Sequence, residues 1–311
     1  LETPEWEDYT PEQLKQALEE YAKETANQSD PLNNAYAREQ LEELKQAAYA
    51  DEEVYRFLSR FEIPETVSII LAANRFMGRK SQVFSQMFNS DEVFSGEKVD
   101  FAAIREEILG RFAEALKTPK EMAAAQEALA QTAEDVMKTM ISEDEHISSV
   151  DIRELKLMNA QLSIAGRLAQ EEQYTIPVLV GDEVTNLSLK IVRGAKKKGI
   201  VEIMFETAKA GKIAACIEAK EKGVSGLIAV EGKGAKNLFE EHLQELAKGF
   251  SEDEADLQVT QVDNLNFSRF SNNLNKLQQQ EDTESETYKV QTGRLYKIAK
   301  SFIENVKELE F

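Results

Sequence analysis

Between Tyr174 and Asn264 the apolar residues stop recurring every three or four positions and begin to alternate, a change that no all-helical fold accommodates. Leu187, Leu189 and Ile191 alternate with Ser188, Lys190 and Val192. After the loop Gly194-Ala195-Lys196-Lys197-Lys198-Gly199 comes the run Ile200-Val201-Glu202-Ile203-Met204-Phe205-Glu206. The turn Lys209-Ala210-Gly211-Lys212 leads into Ile213 to Lys220, and Glu221-Lys222-Gly223 leads into Val224 to Val230. Short β-type runs with glycine at each junction predict an antiparallel meander. Tyr174 to Val180 reads as its edge strand, because Pro177 has no N–H to give to a ladder.

At 311 residues the chain has the length of about two domains, and 42% apolar content is enough to build cores. The 37 basic and 57 acidic residues leave a net charge of −20, concentrated in the front half. A surface so acidic repels phosphate backbones, which argues against nucleic acid as a partner. The lone Cys216 lies on an alternating apolar run and reads as a small buried hydrophobe; so few cysteines suit a reducing compartment. No charged-then-apolar leader and no apolar run of about 18 residues is present, so the expectation is a cytoplasmic protein without membrane insertion.

Prolines punctuate residues 1–170. Thr3-Pro4, Thr10-Pro11, Asp30-Pro31 and Thr118-Pro119 each set a capping residue before a proline at the first helical position, where the missing N–H costs nothing. Gln13 and Glu121 complete capping boxes with Thr10 and Thr118. Ile63-Pro64 marks a fifth start without a cap of its own. Helices are predicted near 11–27, 31–49, 52–61, 64–77, 80–88, 100–117, 119–141 and 149–170. Leu14, Leu18 and Tyr21 make one helical stripe; Ile104, Ile108, Phe112 and Leu116 make another. Gly78 is read as a helix stop.

Behind the meander, Gly234 to Lys248 has a helical face of Leu238, Phe239, Leu243 and Leu246, with Gly249 as its expected stop. Leu257 to Val262 alternates again and is expected to return to the sheet. The fold class is therefore an all-α N-terminal region followed by an α+β domain, an antiparallel sheet with one packed helix, and a C-terminal helix. The divisions are 1–148 acidic and helical, 149–173 an amphipathic connecting helix, 174–264 the α+β domain, 265–294 a polar linker and 295–311 the last helix. That helix carries Leu295, Ile298, Phe302, Val306 and Leu309 on one face, suited to packing or to binding a partner.

The order of these pieces, with Leu187-Ser188-Leu189-Lys190-Ile191, Gly199-Ile200-Val201-Glu202-Ile203-Met204-Phe205, the helix around Leu238 to Leu246, and Leu257 to Val262, resembles the C-terminal domain of bacterial flagellar hook-length control proteins. In that family an apolar strand leads into a Gly, then Val-x-Ile-x-Phe strand, followed by two strands, a helix and a closing strand. The acidic helical front half departs from the long Pro- and Gln-rich ruler expected of the family. The resemblance implies protein recognition at the export gate of the flagellar type III secretion system, no reaction and no cofactor, with export through the flagellar apparatus as an extension of the cytoplasmic location.

Other chemistry finds little footing. Gly226 to Gly234 holds five residues, not four, before its Gly-Lys, and Gly234 replaces the hydroxyl that a phosphate loop needs. Asp91 to Ala102 places Val93 and Ala102 where a calcium loop needs oxygen ligands. His146 and His242 have no second ligand at metal spacing. Adjacent carboxylates such as Glu171 and Glu172 carry no information in so acidic a chain. The remaining candidates are the basic cluster Arg193, Lys196, Lys197 and Lys198, read either as a solubilising turn or as a contact for an acidic partner. Expectation thus settles on a non-enzymatic protein-binding role in flagellar assembly. The alternatives are a scaffold or small-ligand binder with a pocket between its halves, and a hydrolase built on converging acids.

Overall fold

The computed structural model describes residues 9–25, 35–77, 100–143, 149–193, 199–219, 223–250, 255–267, 270 and 292–309. The chain forms two compact units, residues 1–83 with 130–167, and residues 84–129 with 168–311.

The first unit is helical. It contains α1 (Pro11–Thr25), α2 (Ala35–Ala48), α3 (Glu52–Arg60) and α4 (Val67–Met77), with the later part of α6 (Pro119–Glu143) and most of α7 (Ser149–Ala169). The capping boxes form. The Thr10 N–H donates to Gln13 Oε1 at 2.9 Å, and the Glu121 N–H donates to Thr118 Oγ1 at 3.2 Å. Each satisfies a helix-end group that otherwise has no partner. The helix expected from Pro64 begins three residues later. There Thr66 caps it, its carbonyl accepting from the Ile70 N–H at 2.8 Å. Leu14, Leu18, Val54, Leu58 and Ile70 are buried, and Phe57 packs on Phe61 and Phe76. The expected helix at 80–88 and the expected stop at Gly78 lie outside the described residues.

The second unit is a six-stranded sheet with helices. Its strands are β1 (Gln173–Val180), β2 (Glu183–Arg193), β3 (Gly199–Thr207), β4 (Gly211–Ala219), β5 (Val224–Val230) and β6 (Ala255–Gln261), paired in sequence order. β1 to β5 are the antiparallel meander, with β1 and its Pro177 at the edge. The turn between β3 and β4 places Gly211 at φ +71, where a side chain is strained. β6 corrects the expectation of a wholly antiparallel sheet, because it pairs parallel to β5 and the sheet is mixed. A strand pair joined through a whole helix can run parallel, and α8 (Lys233–Phe250) supplies that crossover.

The inner face of the sheet is aliphatic. In register across it lie Tyr174, Leu189, Ile203, Ala215 and Ile228, all buried. More helices contact the sheet than the one expected: α8 lies against β5 and β6, and α9 (Thr292–Glu308) against β1, β3 and α8. Phe302 of α9 stacks between Phe239 and Phe250 of α8, with centroids 6.3 Å away on either side. Each such pair adds about 0.5–1.5 kcal/mol beyond its buried area. Leu295, Ile298, Phe302, Val306 and Leu309 are all buried, and Tyr296, Ala299 and Ile303 widen the stripe. Gly249 is not the helix stop. It is where α8 meets α9, and a Cβ there would lie 2.1 Å from Ser301 Oγ. α5 (Phe101–Ala115) lies against β1.

On the outer face, Met204, Ala214 and Ala229 form a small apolar patch covered by Leu265 and Phe267, with Val262 and Phe270 beside them. Part of the segment expected to be a polar linker thus packs as core. Glu231 pins it: Oε1 accepts from the Leu265 N–H at 2.9 Å, and Oε2 accepts from the Lys212 N–H at 3.3 Å.

Candidate functional site

Arg193, the one described member of the basic cluster, ends β2 on the inner-face side of the second hairpin. Lys196, Lys197 and Lys198 lie outside the described residues. Around Arg193 the chain gathers three polar side chains from separate elements. Glu172, in the turn between α7 and β1, holds a left-handed backbone (φ 57), and its carbonyl accepts from the Ile191 N–H at 3.0 Å. That anchor aims the Glu172 carboxylate at Arg193, and the two form an ion pair. Tyr174 on β1 and Tyr296 on the first turn of α9 meet hydroxyl to hydroxyl at 2.6 Å, with both rings buried.

The first turn of α9 is braced at two more points. The Arg294 guanidinium donates to the carbonyl of Gly223, in the turn before β5, at 3.0 Å. Leu295 fills the space over Gly199, where a Cβ would come within 2.7 Å of it. The missing side chain of Gly199 is thus what lets α9 seat against the hairpin. This gives a structural reason for glycine at the start of the Gly199 to Phe205 strand.

Electrostatics here follow burial. Desolvation raises the Glu172 carboxyl above its usual range, and the Arg193 charge opposes that rise. Its Oε2 is buried, and the Tyr296 hydroxyl beside the carboxyl favours the charged form. Burial pushes the Tyr174 phenol up to about 12 and the Tyr296 phenol higher still. Phenols so raised are neutral at physiological pH and serve as donors, not bases.

The charge of Arg193 is therefore met within its own fold, and its side chain is 36% exposed. The sequence singled out Arg193 for an external contact but missed Glu172, Tyr174 and Tyr296. Tyr296 lies 122 residues from Tyr174, and nothing local signals the pairing. Elsewhere, the half-buried His242 ring meets the Leu238 carbonyl of its own helix at 3.0 Å. His146 lies outside the described residues. Glu231 and Gly232 make a plain turn between β5 and α8. Burial, then the nearby Glu202 and Glu218, pushes the Cys216 thiol up to about 12, leaving it a poor nucleophile. Among the described residues, no three His, Cys, Asp or Glu side chains gather as a metal site, and no helix is long and apolar enough to cross a membrane.

Comparison with protein-family models, curated proteins and solved structures found no match.

Proposed function

We propose that this chain is a non-enzymatic protein-recognition factor of flagellar assembly and export, with the sheet-bearing unit as its docking module. One observation carries the reading: Gly199 to Phe205 forms an interior strand of the sheet, and two strands, a helix and a closing strand follow it. That is the order on which the resemblance to hook-length control proteins rests. The Gly199–Leu295 contact adds a reason for the glycine that opens the strand.

In this proposal the module acts in the cytoplasm and meets the export gate through the second hairpin. Lys196, Lys197 and Lys198 supply charge for an acidic partner, while Arg193 holds the base of the hairpin. Opposite charges at an interface rim act mainly on association rate and salt dependence.

The test is calorimetric titration of the full chain into the soluble export-gate components of its own cell. Saturable binding is expected, weakening as salt rises. The triple variant Lys196→Glu, Lys197→Glu, Lys198→Glu should lower affinity about tenfold or more, as repulsion replaces attraction at the rim. Absence of binding by a chain shown to be folded removes the flagellar reading. Unchanged affinity in the triple variant removes the basic contact alone.

A further inference from the structure

The two edges of the sheet are finished differently. β1 carries Pro177, which has no N–H to offer a further strand, and α5 lies against it. β6 has neither proline nor lysine, and Asp256, Gln258 and Gln261 are exposed along it. The Val262 N–H donates to the Val230 carbonyl at 2.9 Å, so the alternate residues Thr260, Gln258 and Asp256 face β5. Leu257, Val259 and Gln261 therefore turn their N–H and C=O groups outward. Among the described residues nothing bonds to those groups.

A helix flank lies along the same edge. α9 packs on α8 from the β1 side of the sheet, meeting it at Gly249. With 3.6 residues per turn, the opposite flank of α8 carries Lys236, Glu240, Leu243 and Ala247, and it faces outward past β6. Leu243 and Ala247 are only half-buried there, while Lys236 and Glu240 pair with each other at 3.5 Å. Three strand residues on from Ala255 and seven helix residues back from Phe250 each cover about 10 Å, which sets Leu243 level with Gln258.

We propose that this edge docks a second copy of the chain, β6 against β6 and antiparallel, about a twofold axis through Gln258. The strand is self-complementary in that register. Leu257 faces the second copy's Val259, and Ala255 faces its Gln261, as hydrogen-bonded pairs that use every outward group. Gln258 meets its own copy at the axis, amide to amide. Asp256, the one charge in the strand, faces a threonine hydroxyl at position 260 and not another carboxylate. The two sheets become one, and Leu243 and Ala247 of each α8 are covered by the other. The contact is separate from the basic hairpin and independent of the export-gate reading.

The experiment is sedimentation of the full chain over a range of concentration and salt. A reversible dimer is expected, tightening as salt rises, because salt screens the repulsion between two chains of charge −20. That is the opposite salt dependence to the one expected for the basic hairpin, so the two readings fail separately. Gln258→Lys, at an exposed position, sets like charges face to face on the axis and should weaken the dimer about tenfold or more. In a Cys216→Ala background, Gln258→Cys should cross-link to its copy on mild oxidation, since a non-hydrogen-bonded antiparallel pair suits a disulfide; Gln261→Cys should not. A chain still monomeric at about 100 μM overturns the proposal and leaves the edge to a strand from another protein. A dimer unmoved by Gln258→Lys, or one that cross-links through position 261 and not 258, overturns it as well.

Discussion

The two faces of the sheet come from the same strands yet are closed in different ways. The inner face is sealed by two helices whose aromatic rings stack on each other, and its residues Leu189, Ile203, Ala215 and Ile228 are fully buried. The outer face carries an apolar patch, Met204, Ala214 and Ala229, covered by Leu265 and Phe267. Beside that patch the row Lys190, Glu202, Cys216, Leu227 and Gln258 runs across the strands in register. Within it Leu227 is 39% exposed although it is a large hydrophobe. Alternation in a strand specifies both faces at once, but only the inner one is spent on a dense core. The hairpin ends and the outer face retain the chemical variety that recognition needs.

The largest effect should come from Phe302→Ala. It removes the ring shared by Phe239 and Phe250 and should cost about 3–5 kcal/mol in urea unfolding of the sheet-bearing unit. A cost below that of Phe267→Ala, its outer-face counterpart, would break the contrast between faces. Gly249→Ala places a methyl against Ser301 Oγ at the α8–α9 crossing. We expect a loss of about 1–3 kcal/mol from overpacking, recovered in large part by adding Ser301→Ala, with thermal melts as the readout.

On the outer face, Glu231→Gln weakens the hold on the Leu265 N–H and should cost about 1–2 kcal/mol. Hydrogen exchange should show the change confined to residues 262–267 and the neighbouring β4 end; spread into α8 or α9 would show that the faces are not independent. The smallest effect concerns Cys216. With its thiol near 12, roughly one in ten thousand is ionised at pH 8, so a thiol reagent should label it slowly in the folded chain and rapidly in urea. Rapid labelling of the folded chain would mean that the outer face is more open at Cys216 than its half-buried state implies.

Much of this architecture was legible in the sequence because the signals were local. Thr10-Pro11 and Thr118-Pro119 announce helix starts through caps that depend on three neighbouring residues, and the caps form as expected. Glycines mark the β3–β4 and β4–β5 turns, and Pro177 marks an edge strand. What the sequence hid was relational. The direction of β6 depends on the path of α8, although a helix between adjacent strands was itself a signal for a parallel return. Gly249 looked like a helix stop because a glycine at a close crossing and a glycine at a C-terminus read alike. Glu172 was one carboxylate among many until the fold set it beside Arg193, and the phenol of Tyr296 found its partner 122 residues away in the chain.

The central claim is that α9 belongs to the core of the sheet-bearing unit and is not an appendage to it. The most direct measurement is hydrogen exchange on a chain ending at Gln291, compared with the full chain. The account predicts that β1 and β3 lose most of their protection, since Tyr174, Gly199 and the inner face are left uncovered. Unchanged protection of β1 and β3 in the shortened chain would contradict it.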